Sequence, residues 1–543
     1  MNALRHIAVL LACAFVLQAA NAVRIRREPG SGIPEYILPT DHDNPALWSS
    51  RPSLMTRGAA PGAYAINDIP RTGTHEYLLV LVDFNNRSFS IKDTTALLRH
   101  YERVFNEQGY SDSSVYIHKD VTYQGATGSV SDYFRDQSYG QYTPTFRIVG
   151  PIHPSKGYDY YGKGTYDYNA DALIREICDS LTASGTVDLN GYVRNRSIDQ
   201  ISIIYAGKGA NYDGAEVDAI WPHASYVFNY SSVIDSIKYV CTCELFWDSD
   251  TILDGIGTFC HEFSHTLGLP DFYLSSASES KTNSAMGYWS LMDYGNYENG
   301  GFSPVGYTAF EKYSLGWMNL EEIAYAANYD LADISHKPDP KEGVHTAYRL
   351  NTGSDDQFII LENHTKTGWY RYHASQGLMV TSVSYDSDIW NNSTYVNLSS
   401  LKRYCILPAD NDYTRDTNAG DLFPYQGKDS ITVRGTPALK AGSSYPNYSI
   451  YGITLRDSLV TFYAGPDRPS GVKSLTGEQE ISISIVDGGL SVTAPIGSTV
   501  TVYDISGKPI LQTTTSEPTQ QISIPGHGIR IIKCGNKTRK VRL

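Results

Sequence analysis

The sequence predicts an α/β (α+β) fold, followed by a mainly β region and a small C-terminal β-sandwich. Three patterns predict this organisation. Apolar strands alternate with helical segments in the first half, short strands separated by turn residues follow from about Ala347, and regular apolar and polar alternation begins at about Gly477. At 543 residues the chain is longer than one ordinary core, so several domains are expected.

The N-terminal residues have the pattern of an export signal. The basic residue Arg5 precedes the apolar run Ile7–Leu17, and the small residues Ala20 and Ala22 mark a cleavage site. This run is shorter than the roughly 20 apolar residues that a membrane-spanning helix needs, and no later segment is long and apolar enough. We therefore expect a cleaved signal peptide at residues 1–22, a secreted or cell-surface product and no transmembrane anchor.

An α/β domain follows the N-terminal segment. Residues 23–73 are rich in Pro, Gly, Arg and Ser without a sustained period, which predicts a linker or a short pro-segment. The run YLLVLVDF, Tyr77–Phe84, is typical of a buried strand. Helical patterns at Leu97–Phe105 and Ser129–Phe134 alternate with further strands, so residues 74–330 are predicted to form one α/β domain.

The remaining chain is predicted to be rich in strands. Residues 331–466 form a β-rich domain, and the stretch GPDRPSGVKS marks a boundary after it. Residues 474–543 alternate in the manner of a small β-sandwich. With VYDISGKPI and GIRIIKCG this part is similar to the C-terminal sorting domains of type IX secretion cargo in Bacteroidetes, which implies the secretion machinery as a partner. A purely structural sandwich is the alternative.

Composition excludes several classes of protein. The net charge of −14 argues against nucleic-acid binding through phosphate neutralisation. Hydrophobic content of 41% with 19% charged residues is typical of a folded globular protein. The cysteines beyond the signal peptide are sparse and include no CxxC pair, so neither a disulfide scaffold nor a cysteine-bound zinc is predicted, and individual bridges stay open. They are Cys178, Cys241, Cys243, Cys260, Cys405 and Cys534.

The segment CHEFSHTLGLPDFY, Cys260–Tyr273, carries the strongest functional signal. Apolar spacing across Thr251–Leu267 predicts an amphipathic helix. On such a helix His261 and His265 project from the same face, where one metal ion can bridge them. Glu262 lies beside that face, so it can accept a proton from a metal-bound water instead of binding the metal.

A third protein ligand is expected after the helix. Catalytic zinc sites usually combine three protein ligands with one open position. Gly268 lets the chain turn sharply, so that the side chain of Asp271 can reach back to the metal, although an ordinary turn aspartate is the alternative. Two imidazoles and one carboxylate predict Zn²⁺ bound by His261, His265 and Asp271.

A second motif, SLMDYG at Ser290–Gly295, follows the histidines. A zinc motif with a third ligand and a later methionine-containing turn is the pattern of metzincin proteases. The resemblance implies a metzincin-like zinc protease catalytic domain in which Met292 supports the metal site. Tyr294 resembles a tyrosine that helps to stabilise the oxyanion in some metzincins. Ordinary packing is the alternative for Met292, and Tyr294 is one of 42 tyrosines.

The chain also resembles the secreted metallopeptidases of the immune inhibitor A family, whose third ligand is acidic. The similarity covers roughly residues 74–465 and includes GSVSDYFRDQSYGQY, DAIWPH, PVGYTAFEKYSLGWM and FIILENHTKTGWY. Cys260 and the stretch YVRNRSIDQ depart from the family pattern. The resemblance implies a secreted zinc endopeptidase that cleaves proteins or peptides, with Glu262 as general base and residues 74–330 as the catalytic domain.

Other candidates are weaker. Acidic loops predict a structural Ca²⁺, with solvated loop acids as the alternative. Their residues are Asp386, Asp388, Asp410, Asp412, Asp416 and Asp421. His223 is expected to be a satisfied structural histidine. Two rival functions stay open: a surface adhesin or glycan-binding protein with a vestigial metal site, and a hydrolase of another amide or glycan bond.

Overall fold

The computed structural model describes residues 20–21, 24–27 and 34–37 and, with gaps, residues 69–467 and 482–542. The gaps are residues 163–168, 213–214, 217, 275–284, 387–389, 391–395, 398–400, 414–416, 487–488, 495, 518, 525, 527 and 535–536. Most of the predicted signal peptide, most of segment 23–73, Asp388 and Asp416 lie outside the described residues. The chain divides into two compact units, residues 1–467 and 468–543.

The first unit is built on a seven-stranded mixed sheet. In spatial order six of its strands are Tyr142–Ile152, Gly73–Val82, Ser197–Lys208, Ser236–Leu245, His223–Phe228 and Ala20–Asn21. The seventh strand, Val193–Arg194, pairs with Ser197–Lys208 outside this order. The first four run parallel, and the next two continue the sheet in antiparallel pairs. Tyr77 to Val82 are buried without alternation, as expected of a strand covered on both faces.

Helices accompany this sheet. They span Thr94–Asn106, Val130–Gln137, Tyr158–Tyr161, Ala170–Ser184, Gly257–Thr266 and Ala309–Ser314. Short 3-10 helices span Leu189–Tyr192, Gly287–Trp289, Tyr294–Gly301, Pro340–Glu342 and Gly368–Tyr370. In the first α-helix Asp93 accepts the Ala96 N–H as N-cap, and Leu97, Tyr101 and Phe105 are buried on one face. The mixed α/β class agrees with the prediction.

Strands dominate after residue 320. A five-stranded sheet has the order Glu321–Glu322, Ala347–Asn351, Gln357–His364, Gly377–Ser384 and Tyr404–Ile406. A three-stranded antiparallel sheet has the order Ala327–Leu331, Leu459–Gly465 and Ser449–Arg456. Two hairpins pair Arg24–Arg27 with Pro34–Ile37 and Val115–His118 with Val121–Gln124.

Residues 74–330 and 331–466, predicted as successive domains, lie in the same compact unit. Phe272, which directly follows Asp271, shows how their cores join. Its ring centroid lies 5.6 Å from that of Trp390 and 4.8 Å from that of Tyr404, both of the strand-rich part. The segment with the predicted metal ligand Asp271 therefore packs directly on the strand-rich part.

In the described residues of the second unit, the regular elements are all strands. One sheet has three strands in the order Ser482–Val486, Gly489–Thr493 and Thr519–Ser523. The other has four strands in the order Pro509–Thr514, Thr499–Tyr503, Ile529–Cys534 and Lys537–Arg542. All pairs are antiparallel, and the two sheets share one apolar cluster that includes Leu490, Val500 and Ile532. That this unit is a β-sandwich and a sorting domain stays a prediction.

The described cysteines are all buried thiols without disulfide bonds. Cys260 is fully buried in the main core, and burial raises the pKa of its thiol well above the ordinary value. It is thus a packing residue, as the sequence indicated. In the part of the chain that the structure describes, no helix has the length and apolar character to cross a membrane.

Candidate metal centre

The predicted histidines lie on the helix Gly257–Thr266, which we call the site helix. The prediction of a helix from Thr251 is wrong, because Leu253 forms an isolated bridge with Leu245 instead. The helix begins where glycine permits close packing: a Cβ at Gly257 would collide with the carbonyl of Asn296. Every residue of the site helix is buried, so neither of its faces is open to solvent. Its polar residues therefore face protein and not solvent.

The turn after the site helix depends on Gly268. Its φ of +101° is a conformation that L side chains rarely adopt. A Cβ at this position would also lie 2.6 Å from Nη2 of the buried Arg71. The turn brings the carbonyl of Leu269 within 2.8 Å of Nδ1 of His265. Gly268 thus fixes both the path of the chain and the orientation of this imidazole.

We expect Gly268→Ala to lower the free energy of unfolding by about 2 kcal/mol or more, because it adds backbone strain and displaces Arg71. A matched control is Gly185→Ala, at a helix end with φ +67° and no atom within 4 Å of the new Cβ. The control should lose only about 1 kcal/mol. Urea unfolding of the full chain measures both values, and equal losses would contradict the role assigned to the Arg71 contact.

The structure brings His261, His265 and Asp271 together. One ligand atom from each lies within 4.8 Å of the others, and all three side chains are buried. Oδ1 of Asp271 lies 3.1 Å from Nε2 of His261 and 3.3 Å from Nε2 of His265. Within the described ranges, no other three His, Cys, Asp or Glu side chains form such a group. The turn at Gly268 therefore does carry Asp271 back to the histidines.

Backbone carbonyls fix the tautomers of both histidines. Nδ1 of His261 lies 2.8 Å from the Leu291 carbonyl, and Nδ1 of His265 lies 2.8 Å from the Leu269 carbonyl. A carbonyl can only accept, so each Nδ1 carries a proton and donates it. In the neutral imidazoles both Nε2 lone pairs then point towards the carboxylate of Asp271. Three electron-rich atoms that converge in a buried place favour a cation between them.

The electrostatics of the group agree with this arrangement. Burial lowers the pKa of His265, which favours the neutral form that binds metals. Burial raises the pKa of Asp271, but positive charge on the histidine side of the group outweighs burial and holds that pKa below its ordinary value, so a cation placed there keeps the carboxylate ionised. Two imidazole nitrogens and a carboxylate oxygen are the donor set of many catalytic zinc sites. The residues present fit a zinc ion.

Glu262 lies next to the first histidine in sequence and outside the ligand group. Its side chain is fully buried. The carboxylate is close enough to Tyr297 to raise the pKa of that phenol, although burial is the larger cause. A carboxylate that is buried beside a metal site without belonging to its ligands is suited to proton transfer.

Met292 lies in a turn that touches both ends of the ligand group. We call Ser290–Asp293 the methionine turn. Its Leu291 carbonyl accepts from His261, and its Met292 carbonyl accepts the N–H of Phe272 at 2.7 Å, directly after Asp271. The Met292 side chain is fully buried. The turn thus contacts His261 and the residue after Asp271, so it supports the first and third predicted ligands.

Tyr294 belongs to an aromatic cluster with Tyr273 and Tyr297 and is 8% exposed. The tyrosine that contacts a ligand is Tyr273, whose hydroxyl donates to Oδ2 of Asp271 at 3.0 Å. Tyr273 was not among the predicted site residues, although it stands two residues after Asp271 in the sequence. A role for Tyr294 at the oxyanion stays a prediction.

The remaining candidates differ in their contacts. His223 is buried between the Trp221 carbonyl at 2.6 Å and the Tyr239 hydroxyl at 2.9 Å, as expected of a structural histidine. Asp421 accepts the Trp289 indole N–H at 2.7 Å, and burial raises its pKa to about 6. Asp410 accepts the N–H of Asp412. A structural Ca²⁺ in these loops stays a prediction.

Comparison with known proteins points to the same part of the chain. Residues 66–321 match the profile of the immune inhibitor A peptidase M6 catalytic domain. The pre-pro-metalloprotease PrtV of Vibrio cholerae serotype O1 is 27% identical over 297 residues, 47% of this chain and 32% of that protein. Immune inhibitor A of Bacillus thuringiensis subsp. alesti is 26% identical over 269 residues, 41% of this chain and 38% of that protein. The chain spans about a third of the length of these relatives.

The matched region contains every predicted metal ligand and the methionine turn. These matches support a metalloendopeptidase, a hydrolase, as the kind of enzyme that residues 66–321 form. The likeness to immune inhibitor A that the sequence predicted is thereby confirmed, and the matched residues support the predicted metalloendopeptidase class.

Proposed function

We propose that this protein is a secreted zinc endopeptidase that hydrolyses peptide bonds of proteins. The observation that carries the proposal is the convergence of His261, His265 and Asp271 within 4.8 Å in a buried place. The matched peptidase domain supports it, because this group lies inside the matched residues. A vestigial site in an adhesin would have no reason to keep three buried, mutually oriented ligands.

His261, His265 and Asp271 would hold the zinc ion through two Nε2 atoms and one carboxylate oxygen. A bound zinc ion supplies Lewis acidity, which activates water and polarises the scissile carbonyl. The Leu291 and Leu269 carbonyls keep both imidazoles in the Nδ1–H tautomer, so that each Nε2 keeps a lone pair that can bind the metal.

Glu262 is the general base in this proposal and later gives its proton to the leaving amine. Its burial and its place outside the ligand group support the role, because a carboxylate that does not bind the metal is suited to proton transfer. Met292 supports the ligands through the methionine turn. Tyr294, in the aromatic cluster, is proposed to stabilise the oxyanion.

Export rests on the N-terminal sequence. The apolar run Ile7–Leu17 and the small residues Ala20 and Ala22 have the order of a cleaved signal. The name of the Vibrio relative, a pre-pro-metalloprotease, fits a leader and a pro-segment here. Residues 474–543 are proposed to engage a secretion machinery, as their likeness to sorting domains implies.

The test uses the natively purified full chain. We expect about one zinc ion per chain by elemental analysis, and cleavage of casein that 1,10-phenanthroline abolishes and added Zn²⁺ restores. Chain without any transition metal, or cleavage that the chelator leaves intact, would contradict the proposal. Zinc binding without cleavage of any protein, together with hydrolysis of another amide or glycan bond, would favour the rival hydrolase.

A further inference from the structure

We propose that Glu311 is a positioning residue that holds the methionine turn in place and thereby orients the metal ligands. This inference rests on the proposed zinc site. Glu311 lies on the helix Ala309–Ser314, far from the zinc motif in sequence, and its side chain is fully buried. It belongs neither to the ligand group nor to the proton-transfer step.

One oxygen of Glu311 contacts the methionine turn. Oε1 accepts the hydroxyl of Ser290 at 2.6 Å and the N–H of Met292 at 3.3 Å. The Ser290 hydroxyl in turn accepts the same Met292 N–H at 3.1 Å. The first and third residues of the turn, Ser290 and Met292, are therefore held by a single carboxylate oxygen.

The other oxygen anchors the carboxylate to its own helix. Oε2 accepts the N–H of Thr308 at 2.6 Å and its hydroxyl at 2.9 Å. Thr308 also accepts the Glu311 N–H, which completes a capping box. All four groups that contact the Glu311 oxygens donate hydrogen bonds, so this position requires a carboxylate, which only accepts hydrogen bonds.

The chain of contacts ends at the ligands. The clamped turn presents the Leu291 carbonyl to Nδ1 of His261 and the Met292 carbonyl to the N–H of Phe272, beside Asp271. Outer partners of this kind typically change metal affinity by about 10–100-fold when they are removed. Loss of the Glu311 clamp should therefore loosen two of the three ligands at once.

Glu311→Gln tests the inference, because an amide of nearly the same shape must turn an NH₂ group towards one pair of donors. The matched control is Asp132→Asn, since Asp132 is a buried carboxylate in another capping box and accepts the N–H groups of Ser129, Gly109 and Tyr110. Competition with a chelator measures zinc affinity, and the visible absorption of the Co²⁺-loaded full chain reports ligand geometry.

We expect Glu311→Gln to weaken zinc binding by about 10–100-fold and to alter the Co²⁺ spectrum, while Asp132→Asn changes neither. Should Glu311→Gln fail to fold, Ser290→Ala removes the hydroxyl that Oε1 of Glu311 accepts, leaves the Thr308 contacts of Oε2 in place, and should shift both readouts in the same direction. Wild-type affinity and spectrum in the variants overturn this inference alone. A wild-type chain that binds neither ion overturns the proposed function and this inference with it.

Discussion

Glu262→Gln protein is expected to bind zinc as the wild-type chain does and to lose peptide hydrolysis by about 10²–10⁴-fold in kcat. The amide has nearly the shape of the carboxylate, so the buried side chain can keep its place, but it cannot accept the proton. Because Glu262 lies outside the ligand group, the metal content should not change. Elemental analysis and casein cleavage on the same purified sample measure both quantities.

The metal content of that sample is the internal control. Lost zinc would place Glu262 among the groups that hold the ion, and retained hydrolysis would remove it from the mechanism altogether. Either result contradicts the assignment of Glu262 as general base.

His265→Gln is expected to abolish zinc binding at ordinary concentrations, because it removes one of three protein ligands. The affinity should fall by more than the roughly 100-fold effect of an outer partner. Hydrolysis should fall with it. His223→Gln is the matched control, since His223 is also fully buried and its Nδ1 also faces a backbone carbonyl.

The two buried histidines differ in what Nε2 meets. Nε2 of His223 lies 2.9 Å from the Tyr239 hydroxyl, whereas Nε2 of His265 faces Asp271. Both substitutions should reduce the midpoint of thermal unfolding, but only His265→Gln should change the zinc content. Equal zinc content in the two variants would show that His265 is not a ligand.

Local pattern was enough to predict the buried strand at Tyr77 and the convergence of His261, His265 and Asp271. The run at Tyr77 is apolar because both faces of its strand are covered, and that signal needs no knowledge of the neighbours. His261 and His265 are one turn apart on any helix, so their meeting follows from sequence spacing. Asp271 was predictable because a glycine with positive φ stands between helix and ligand.

The start of the site helix and the role of Glu311 depend on tertiary contacts, which the sequence does not show. The site helix starts at Gly257, where the 3-10 helix Tyr294–Gly301 packs against it through the Asn296 carbonyl. Apolar spacing before this point resembled a continuing helix. Glu311 gave no signal of its role, since its partners Ser290 and Met292 come from another part of the chain. Tyr273 could have been suspected only from its nearness to Asp271.

The common core of the first unit limits how far this chain can be shortened. A chain cut after residue 330 would keep all the ligands but would strip Phe272 of its neighbours Trp390 and Tyr404, leaving aromatic rings open to water. The final unit has an apolar cluster of its own. Residue 467 is therefore the expected end of the shortest chain that keeps the first core intact, and we expect shorter chains to aggregate.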